Sequence, residues 1–272
     1  MRNSPEFFGE LIGTFILVFF GCGSVAVTVL FSAHNGLFQV AAVWGLGVTL
    51  AIYATRHLSC AHLNPAVSVA MVLGHRMTVR RLPVYLSAQF VGAFLAATVL
   101  YTLFSGSIAA YETMHGIVRG SQESIQTAMM FGEYYPNPGA GANAVVSYWN
   151  AFGAEAVGTF ILVMMIFALT EGCNVGRPDD ALAPLFIGMT VAAIICVIAP
   201  LTQAGLNPAR DLGPRIFAWL AGWKGAAFPD DRYGFLVIYV AAPILGGAAA
   251  SLLFVRFLEP MMNKKNSCNC CE

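Results

Sequence analysis

Two stretches of the sequence share a polar triplet, "AHLNPAV" at residues 61–67 and "AGLNPAR" at residues 204–210. Asparagine is a favoured N-cap, and proline is favoured at the first helical position because its missing N–H would have no partner there. We therefore predict that one helix begins after Asn64 and another after Asn207. The first would run to about Leu73 and rise roughly 15 Å at about 1.5 Å per residue.

The sequence around these motifs has the composition of a membrane protein. Of its 272 residues, 58% are hydrophobic and 10% are charged, whereas an ordinary soluble domain has roughly 25% charged residues. A helix of about 20 residues crosses the roughly 30 Å hydrocarbon layer, so a motif helix would cover only half of it. The apolar runs predict six spans, at about 7–31, 37–55, 83–104, 149–170, 181–201 and 234–257.

The chain contains an internal repeat. "ELIGTFILV" (10–18) recurs as "EAVGTFILV" (155–163). Because each half holds three spans, the second copy would enter the membrane from the opposite side, and such inverted repeats are typical of channels and transporters. We predict an all-α membrane protein with six transmembrane helices and two re-entrant half-helices. It would form a single channel domain over 1–272, with repeats at about 5–105 and 149–258, an outer loop at 105–148 and a cytoplasmic tail at 259–272.

The charges indicate a lipid environment and an orientation. The net charge is zero, and no basic block suits nucleic acid, so the expected partner is the lipid bilayer. Basic residues lie between spans two and three, between spans four and five, and at both ends, namely Arg2, Arg76, Arg80, Arg81, Arg177, Lys264 and Lys265. These positions fall on one face of the membrane, so the positive-inside rule places both termini in the cytoplasm.

The paired motifs suggest a site for neutral molecules at the midplane. If each asparagine oxygen caps its helix, the NH2 donors of Asn64 and Asn207 remain free. Each half-helix N-terminus adds roughly half a positive charge. A cation at the midplane would therefore lose its hydration shell and be repelled by both termini. Non-helical backbone at this depth must be buried in protein or line a water-filled path. We expect such lining from Cys60, Ala61, His62, Leu63, Gly205 and Leu206.

The predicted membrane segments contain charged residues, among them Glu10, Glu155 and Arg210. Glu10 and Glu155 would be proton relays in a coupled transporter, or acceptors for the backbone N–H groups of the re-entrant loops, and we favour acceptors. Arg210 occupies the place of Val67 in the first repeat, at a depth where a charge is usually functional. The adjacent Asp211 is a poor partner for Arg210, because neighbours on a helix point roughly 100° apart.

The sequence resembles the aquaporin superfamily, and within it the aquaglyceroporins typified by bacterial glycerol facilitators. Besides the two motifs, the matching stretches are "AVWGLGV" (42–48), "HGIVRGSQES" (115–124), "YPNP" (135–138), "LNPARDLGPR" (206–215) and "FAWLAGWKG" (217–225). Asp211 directly after Arg210 resembles the glycerol-conducting branch. The resemblance implies a right-handed helical bundle, a homotetramer with one pore per subunit in the plasma membrane, as in a bacterial inner membrane, and passive flow without a cofactor.

The resemblance also implies which residues form the pore. The two motifs would be Asn64, Pro65, Ala66, Asn207, Pro208 and Ala209, and an outer constriction would consist of Trp44, Ile195, Ala204 and Arg210. Ile195 stands where glycerol facilitators usually have glycine and water channels have histidine. Ala204 stands where glycerol facilitators usually have phenylalanine. These two departures leave the ranking of solutes open.

We therefore expect a passive channel for glycerol and related small uncharged solutes, with some water flux, that excludes ions and protons. A water-selective channel of the same fold and a proton-coupled secondary transporter remain alternatives. Enzymatic activity and a metal site are not expected, because the histidines show no metal-ligand spacing and no nucleophile has a base within sequence reach. Cys268, Cys270 and Cys271 near the end of the chain could be acylated or bind a metal, but because no histidine accompanies them we expect free thiols.

Overall fold

The computed structural model describes residues 5–229 and 233–262, so Arg2, Lys264, Lys265 and the three terminal cysteines lie outside the described residues. Eight helices, numbered here in chain order, build the fold. They are α1 (Pro5–Phe31), α2 (Leu37–Ser59), α3 (Pro65–Leu73), α4 (Leu82–Met114), α5 (Tyr148–Thr170), α6 (Ala183–Thr202), α7 (Pro208–Ala218) and α8 (Gly234–Met262). All of these except α3 and α7 are parts of segments long and apolar enough to cross a membrane, which confirms the six predicted spans.

The third span extends further than the sequence predicted. Its helix, α4, continues to Met114 instead of ending near 104. Residues 105–114 contain no proline, and the chain leaves the helix at Gly116, whose φ of 64° lies in the left-handed region that favours glycine. The connection to α5 therefore starts after Met114 instead of near residue 105.

The two predicted helix starts at the Asn-Pro-Ala motifs are confirmed. The Asn64 side-chain oxygen accepts a hydrogen bond from the Ala66 N–H at 2.8 Å, and α3 begins at Pro65. The Asn207 oxygen accepts from the N–H groups of Ala209 at 3.0 Å and Arg210 at 3.3 Å, and α7 begins at Pro208. Both motifs thus act as local caps that satisfy otherwise unpaired N–H groups.

Glycines bring the helices together in the same way in both halves. In the first half α1 packs against α2 and α4, in the second α5 packs against α6 and α8, and α2 packs against α6. A Cβ added to Gly92 would collide with the α1 backbone at Leu11, and one added to Gly246 would collide with the α5 backbone at Ala156. Small residues permit such close approach between membrane helices. The two halves therefore provide matching frames around the re-entrant segments.

A polar network holds the long connection after α4 onto the bundle. Arg119 donates to the Glu112 carboxylate at 2.8 Å, and the Thr127 hydroxyl donates to the same carboxylate at 2.8 Å. The Trp223 indole N–H donates to Thr127 at 2.9 Å. These bonds tie the connection to α4 and to the segment after α7.

Candidate transport pore

A cavity of about 740 Å³ follows the line where the two halves meet. At one end, the Arg76 mouth, it is lined by Arg56, Arg76 and Asp180, and at the other end, the Arg210 mouth, by Trp44 and Arg210. The predicted site residues in its wall are Trp44, Cys60, Ala61, His62, Leu63, Asn64, Ile195, Ala204, Gly205, Leu206, Asn207 and Arg210. The predicted motif residues Pro65, Ala66, Pro208 and Ala209 do not line it and are buried at the starts of α3 and α7.

A second cavity, of about 500 Å³, lies beyond the Arg210 mouth. Trp44, Ile195 and Arg210 line both cavities, so they stand where the two meet. The fourth predicted member, Ala204, lines only the first cavity. The structure thus brings all four sequence-predicted residues to one end of the first cavity, with three of them at the junction.

The two asparagines meet their opposite loops near the middle of the first cavity. Asn64 Nδ2 donates to the Leu206 carbonyl at 2.9 Å, and Asn207 Nδ2 donates to the Leu63 carbonyl at 2.8 Å. The prediction that both NH2 groups remain free was therefore wrong in part, because a buried carbonyl requires a donor. Each amide has two N–H bonds, so at most one per asparagine is left for a solute.

Both re-entrant loops have backbone in the left-handed region at non-glycine residues. In the first loop Cys60, Ala61 and Leu63 have φ of 66°, 52° and 55°, and in the second Gln203, Ala204 and Leu206 have φ of 61°, 62° and 55°. Such conformations cost of order 1–3 kcal/mol each and persist only where surrounding contacts enforce them. The matching pattern shows that both loops require strong support.

Buried glutamates supply that support. The Glu10 carboxylate accepts hydrogen bonds from the backbone N–H groups of His62 at 2.9 Å and Leu63 at 2.7 Å. The Glu155 carboxylate accepts from those of Gly205 at 2.8 Å and Leu206 at 2.7 Å. The predicted acceptor contacts are thus present. Neither glutamate lines the first cavity, so their position gives no support to a proton relay.

Arg210 makes two side-chain contacts that orient its guanidinium group. The group lies 4.1 Å from the centroid of the Trp44 ring, a cation–π arrangement. It also forms an ion pair with the Glu133 carboxylate, and both side chains are almost completely buried. As expected, Arg210 does not pair with Asp211, which instead binds Arg215 at 2.7 Å on the next helical turn.

Sequence reasoning missed Glu133. Its backbone N–H donates to the Asp211 carboxylate at 2.7 Å, and its carbonyl accepts a hydrogen bond from Arg215. The buried Asp211–Arg215 pair therefore holds the Glu133 backbone next to Arg210, which directly precedes Asp211. The available signal was one acidic residue within the apolar and aromatic stretch "AMMFGEYYP" (128–136), where an isolated charge needs a partner.

The Arg76 mouth contains a second ion pair that the sequence did not suggest. Arg76 donates to the Glu171 carboxylate at 2.5 Å and lies 4.3 Å from the centroid of the Phe167 ring. Burial alone would raise the pKa of Glu171, but hydrogen bonds from the Cys173 backbone N–H and from Arg76 hold that pKa below its usual value. This pair joins the segment after α3 to the end of α5.

Comparison with known proteins agrees with this architecture. Residues 1–254 match the family model of the major intrinsic proteins. The chain is 41% identical to a glycerol uptake facilitator protein of Haemophilus influenzae, over 97% of this chain and 96% of the relative. It is 40% identical to the propanediol uptake facilitator PduF of Salmonella typhimurium, over 97% and 96% of the two chains. The X-ray structure of the aquaglyceroporin from Plasmodium falciparum is similar with a TM-score of 0.82 and 27% identity, over 96% of this chain and 98% of that one.

Proposed function

Because the chain belongs to the major intrinsic protein family, we propose that this integral membrane protein is a passive channel for glycerol and related small uncharged solutes, with some water flux. Relatives named as glycerol and propanediol facilitators match nearly its full length. The observation that carries the proposal is the pair of cavities that meet at Trp44, Ile195 and Arg210. They supply a path through the middle of the fold with one polar constriction.

The constriction suits a molecule with one apolar and one polar side. The carbon chain of glycerol can lie against Trp44 and Ile195 while Arg210 donates to its hydroxyl oxygens, which replaces hydrogen bonds lost from water. Ala204 leaves space that a larger side chain would fill. Longer polyols and urea are therefore expected to pass as well.

Ions would be excluded near the two asparagines. There the N-termini of α3 and α7 both contribute positive potential, and the surrounding wall is largely apolar. A cation would lose its hydration shell and gain few acceptors in return. A neutral solute avoids this cost, because the remaining amide N–H groups and the loop backbone can replace its hydrogen bonds.

The proposed function is tested by stopped-flow light scattering on proteoliposomes, with water, glycerol and urea as the moving species. We expect glycerol and urea fluxes well above those of empty liposomes. Fast water flux with glycerol and urea at the empty-liposome level would instead show a water-selective channel. Uptake that saturates and is abolished by dissipation of a proton gradient would show a coupled transporter.

We also propose the assembly and orientation. The chain would form a single channel domain of two inverted repeats with both termini in the cytoplasm of a bacterial cell, and four subunits would assemble in the inner membrane. The positive-inside pattern and the resemblance support these points.

Reagent access to single cysteines introduced at each end, in intact cells and inverted vesicles, tests the orientation. Light scattering of the detergent-solubilised protein tests the subunit number, and a mass other than that of a tetramer would reject it.

A further inference from the structure

The side chain of His62 lines the first cavity, and along the chain His62 stands between Arg56 at the Arg76 mouth and Asn64. Its Nδ1 atom is 3.3 Å from the hydroxyl oxygen of Ser68, a fully buried residue of α3. Its Nε2 atom makes no hydrogen bond with the described residues, yet it is not one of the fully buried unpaired side-chain atoms. One ring nitrogen is thus bound inside the protein, and the other is accessible from the cavity.

Two further hydrogen bonds decide which ring nitrogen of His62 carries the proton. The Gln89 side-chain nitrogen donates to the Glu10 carboxylate at 2.7 Å and to the Ser68 hydroxyl oxygen at 3.0 Å. Because the Glu10 carboxylate is an acceptor, the NH2 group of Gln89 has to face it. Ser68 therefore accepts from Gln89 and keeps its own proton to donate, and His62 Nδ1 is its other side-chain partner within the described residues.

This direction of donation fixes the form of the imidazole. A nitrogen that accepts a hydrogen bond cannot carry the proton, so Nδ1 is unprotonated and Nε2 carries the N–H. An imidazolium would leave the buried Ser68 hydroxyl without an acceptor, and it would meet the positive N-termini of α3 and α7. The chain from Glu10 through Gln89 and Ser68 therefore presents a hydrogen-bond donor, His62 Nε2–H, to the cavity.

The second repeat has no counterpart of this donor, because Gly205 stands at the place of His62. A Cβ added to Gly205 would lie 2.9 Å from the Tyr239 ring and 3.3 Å from a Glu155 carboxylate oxygen, so a side chain there would displace its neighbours. Arg210 supplies side-chain donors at its own mouth. On the other side of the asparagines, that role falls to His62.

We propose that His62 is a solute-binding residue whose Nε2–H donates a hydrogen bond to the oxygen atoms of small neutral solutes between the asparagines and the Arg76 mouth. This inference rests on the proposed channel function. A polyol hydroxyl accepts this bond after it leaves the remaining N–H group of Asn64, which replaces a hydrogen bond lost from water. Ser68 and Gln89 are positioning residues, because they keep the proton of His62 on Nε2.

Variants at position 62 separate the donor from the shape of the ring. His62→Phe keeps a flat ring without the N–H, and we expect it to lower glycerol permeability in proteoliposomes about fivefold, which corresponds to ~1 kcal/mol. His62→Gln places a side-chain N–H near the position of Nε2 and should retain most of the wild-type permeability. His62→Asn reaches only about as far as Nδ1 and should be as slow as His62→Phe.

His75→Phe is the matched control, because His75 is exposed and lines neither the first nor the second cavity. Its glycerol permeability should equal that of the wild type. The form of the imidazole is measured separately by solid-state nitrogen NMR of protein with isotope-labelled histidine in liposomes. The signals of His62 are those lost in His62→Gln. We expect a neutral ring protonated at Nε2 in the wild type and a mixture with the Nδ1-protonated form in Ser68→Ala.

The possible outcomes separate the two proposals. A wild-type protein without glycerol flux would reject the channel function itself. A conducting wild type with unchanged permeability in His62→Phe, or with the proton of His62 on Nδ1, would reject only the role of His62. An unchanged tautomer in Ser68→Ala would reject the positioning role. If His62→Phe does not fold, equal permeabilities of His62→Gln and His62→Asn would overturn the proposal.

Discussion

The two re-entrant segments, residues 59–64 and 202–207, share one frame but differ in what they present to the cavity. In each, a buried glutamate accepts two backbone N–H groups and the asparagine caps the following half-helix. Three residues after the asparagine stands Val67 in the first repeat and Arg210, with its partner Glu133, in the second. The comparison shows that both repeats support their loops in the same way, while only the second places an arginine directly after the motif.

The supports share a hydroxyl contact and differ in one further hydrogen bond. Glu10 bonds the side chain of Ser59, and Glu155 accepts from Thr202 at 2.6 Å, each within its own re-entrant segment. Glu10 also accepts from Gln89 on α4 at 2.7 Å, which donates to Ser68 at 3.0 Å as well. The Gln89 side chain therefore connects the support of the first loop to α4. A tyrosine borders each loop in the same way: the Tyr85 hydroxyl donates to the Ser59 carbonyl, and the Tyr239 hydroxyl donates to the Thr202 carbonyl at 3.3 Å.

The largest effect is expected from removal of a supporting carboxylate. Glu10→Ala or Glu155→Ala leaves two buried N–H groups unpaired, at about 1–3 kcal/mol each, besides the lost side-chain donor contact. We expect each to destabilise the protein by about 3–6 kcal/mol and to lower the thermal unfolding temperature in detergent. Glu→Gln at the same positions keeps one acceptor and should cost less. If one alanine variant were as stable as the wild type, the two supports would not be equivalent.

Arg210→Val tests the asymmetry directly, because it copies the residue at the same place in the first repeat. The change leaves Glu133 buried without its cation, and breaking a buried pair in this way costs about 3–5 kcal/mol. Arg210→Val combined with Glu133→Leu should recover part of that loss. The measurement is the unfolding temperature of both single variants and the double variant. Additive losses would show that the ion pair contributes nothing to stability.

The barrier to cations at the midplane should fall when either re-entrant segment gains a negative charge. Asn64→Asp or Asn207→Asp introduces a negative charge that offsets the positive potential of the helix N-termini. It also removes the donor for the opposite carbonyl. We expect ionic conductance in planar bilayers to rise about tenfold for a monovalent cation, or about 1.4 kcal/mol. Variants that conduct glycerol and remain as ion-tight as the wild type would place the barrier elsewhere.

The smallest effect is expected from a change in side-chain size at Ala204 in the second loop. Ala204→Phe should narrow the path and lower the flux of urea and longer polyols about threefold relative to glycerol, which is less than 1 kcal/mol. Ala61→Phe is the matched change in the first loop and should alter total flux without the same ranking. Ile195→His should suppress glycerol more than water. An Ala204→Phe profile identical to the wild type would show that another residue sets the width.

Much of the site was predictable because its decisive features are local or periodic. The helix starts at Asn64 and Asn207 follow from hydrogen bonds that reach only two or three residues along the chain. The acceptor role of Glu10 and Glu155 followed from the need to pair exposed loop N–H groups inside a membrane. The freedom of the asparagine NH2 groups was predicted wrongly, because their partners lie in the other half of the chain.

The sequence by itself determined six membrane spans, two capped half-helices and the repeat that relates them, because apolar length and capping act within single segments. Only the tertiary structure decided that Arg210 pairs with Glu133, which belongs to a long connection without regular periodicity. Asp211 and Arg215 hold Glu133 in place through its backbone N–H and carbonyl. A buried charge needs an opposite charge nearby, and which residue supplies it depends on how distant parts of the chain fold together. A local sequence pattern therefore cannot identify that partner.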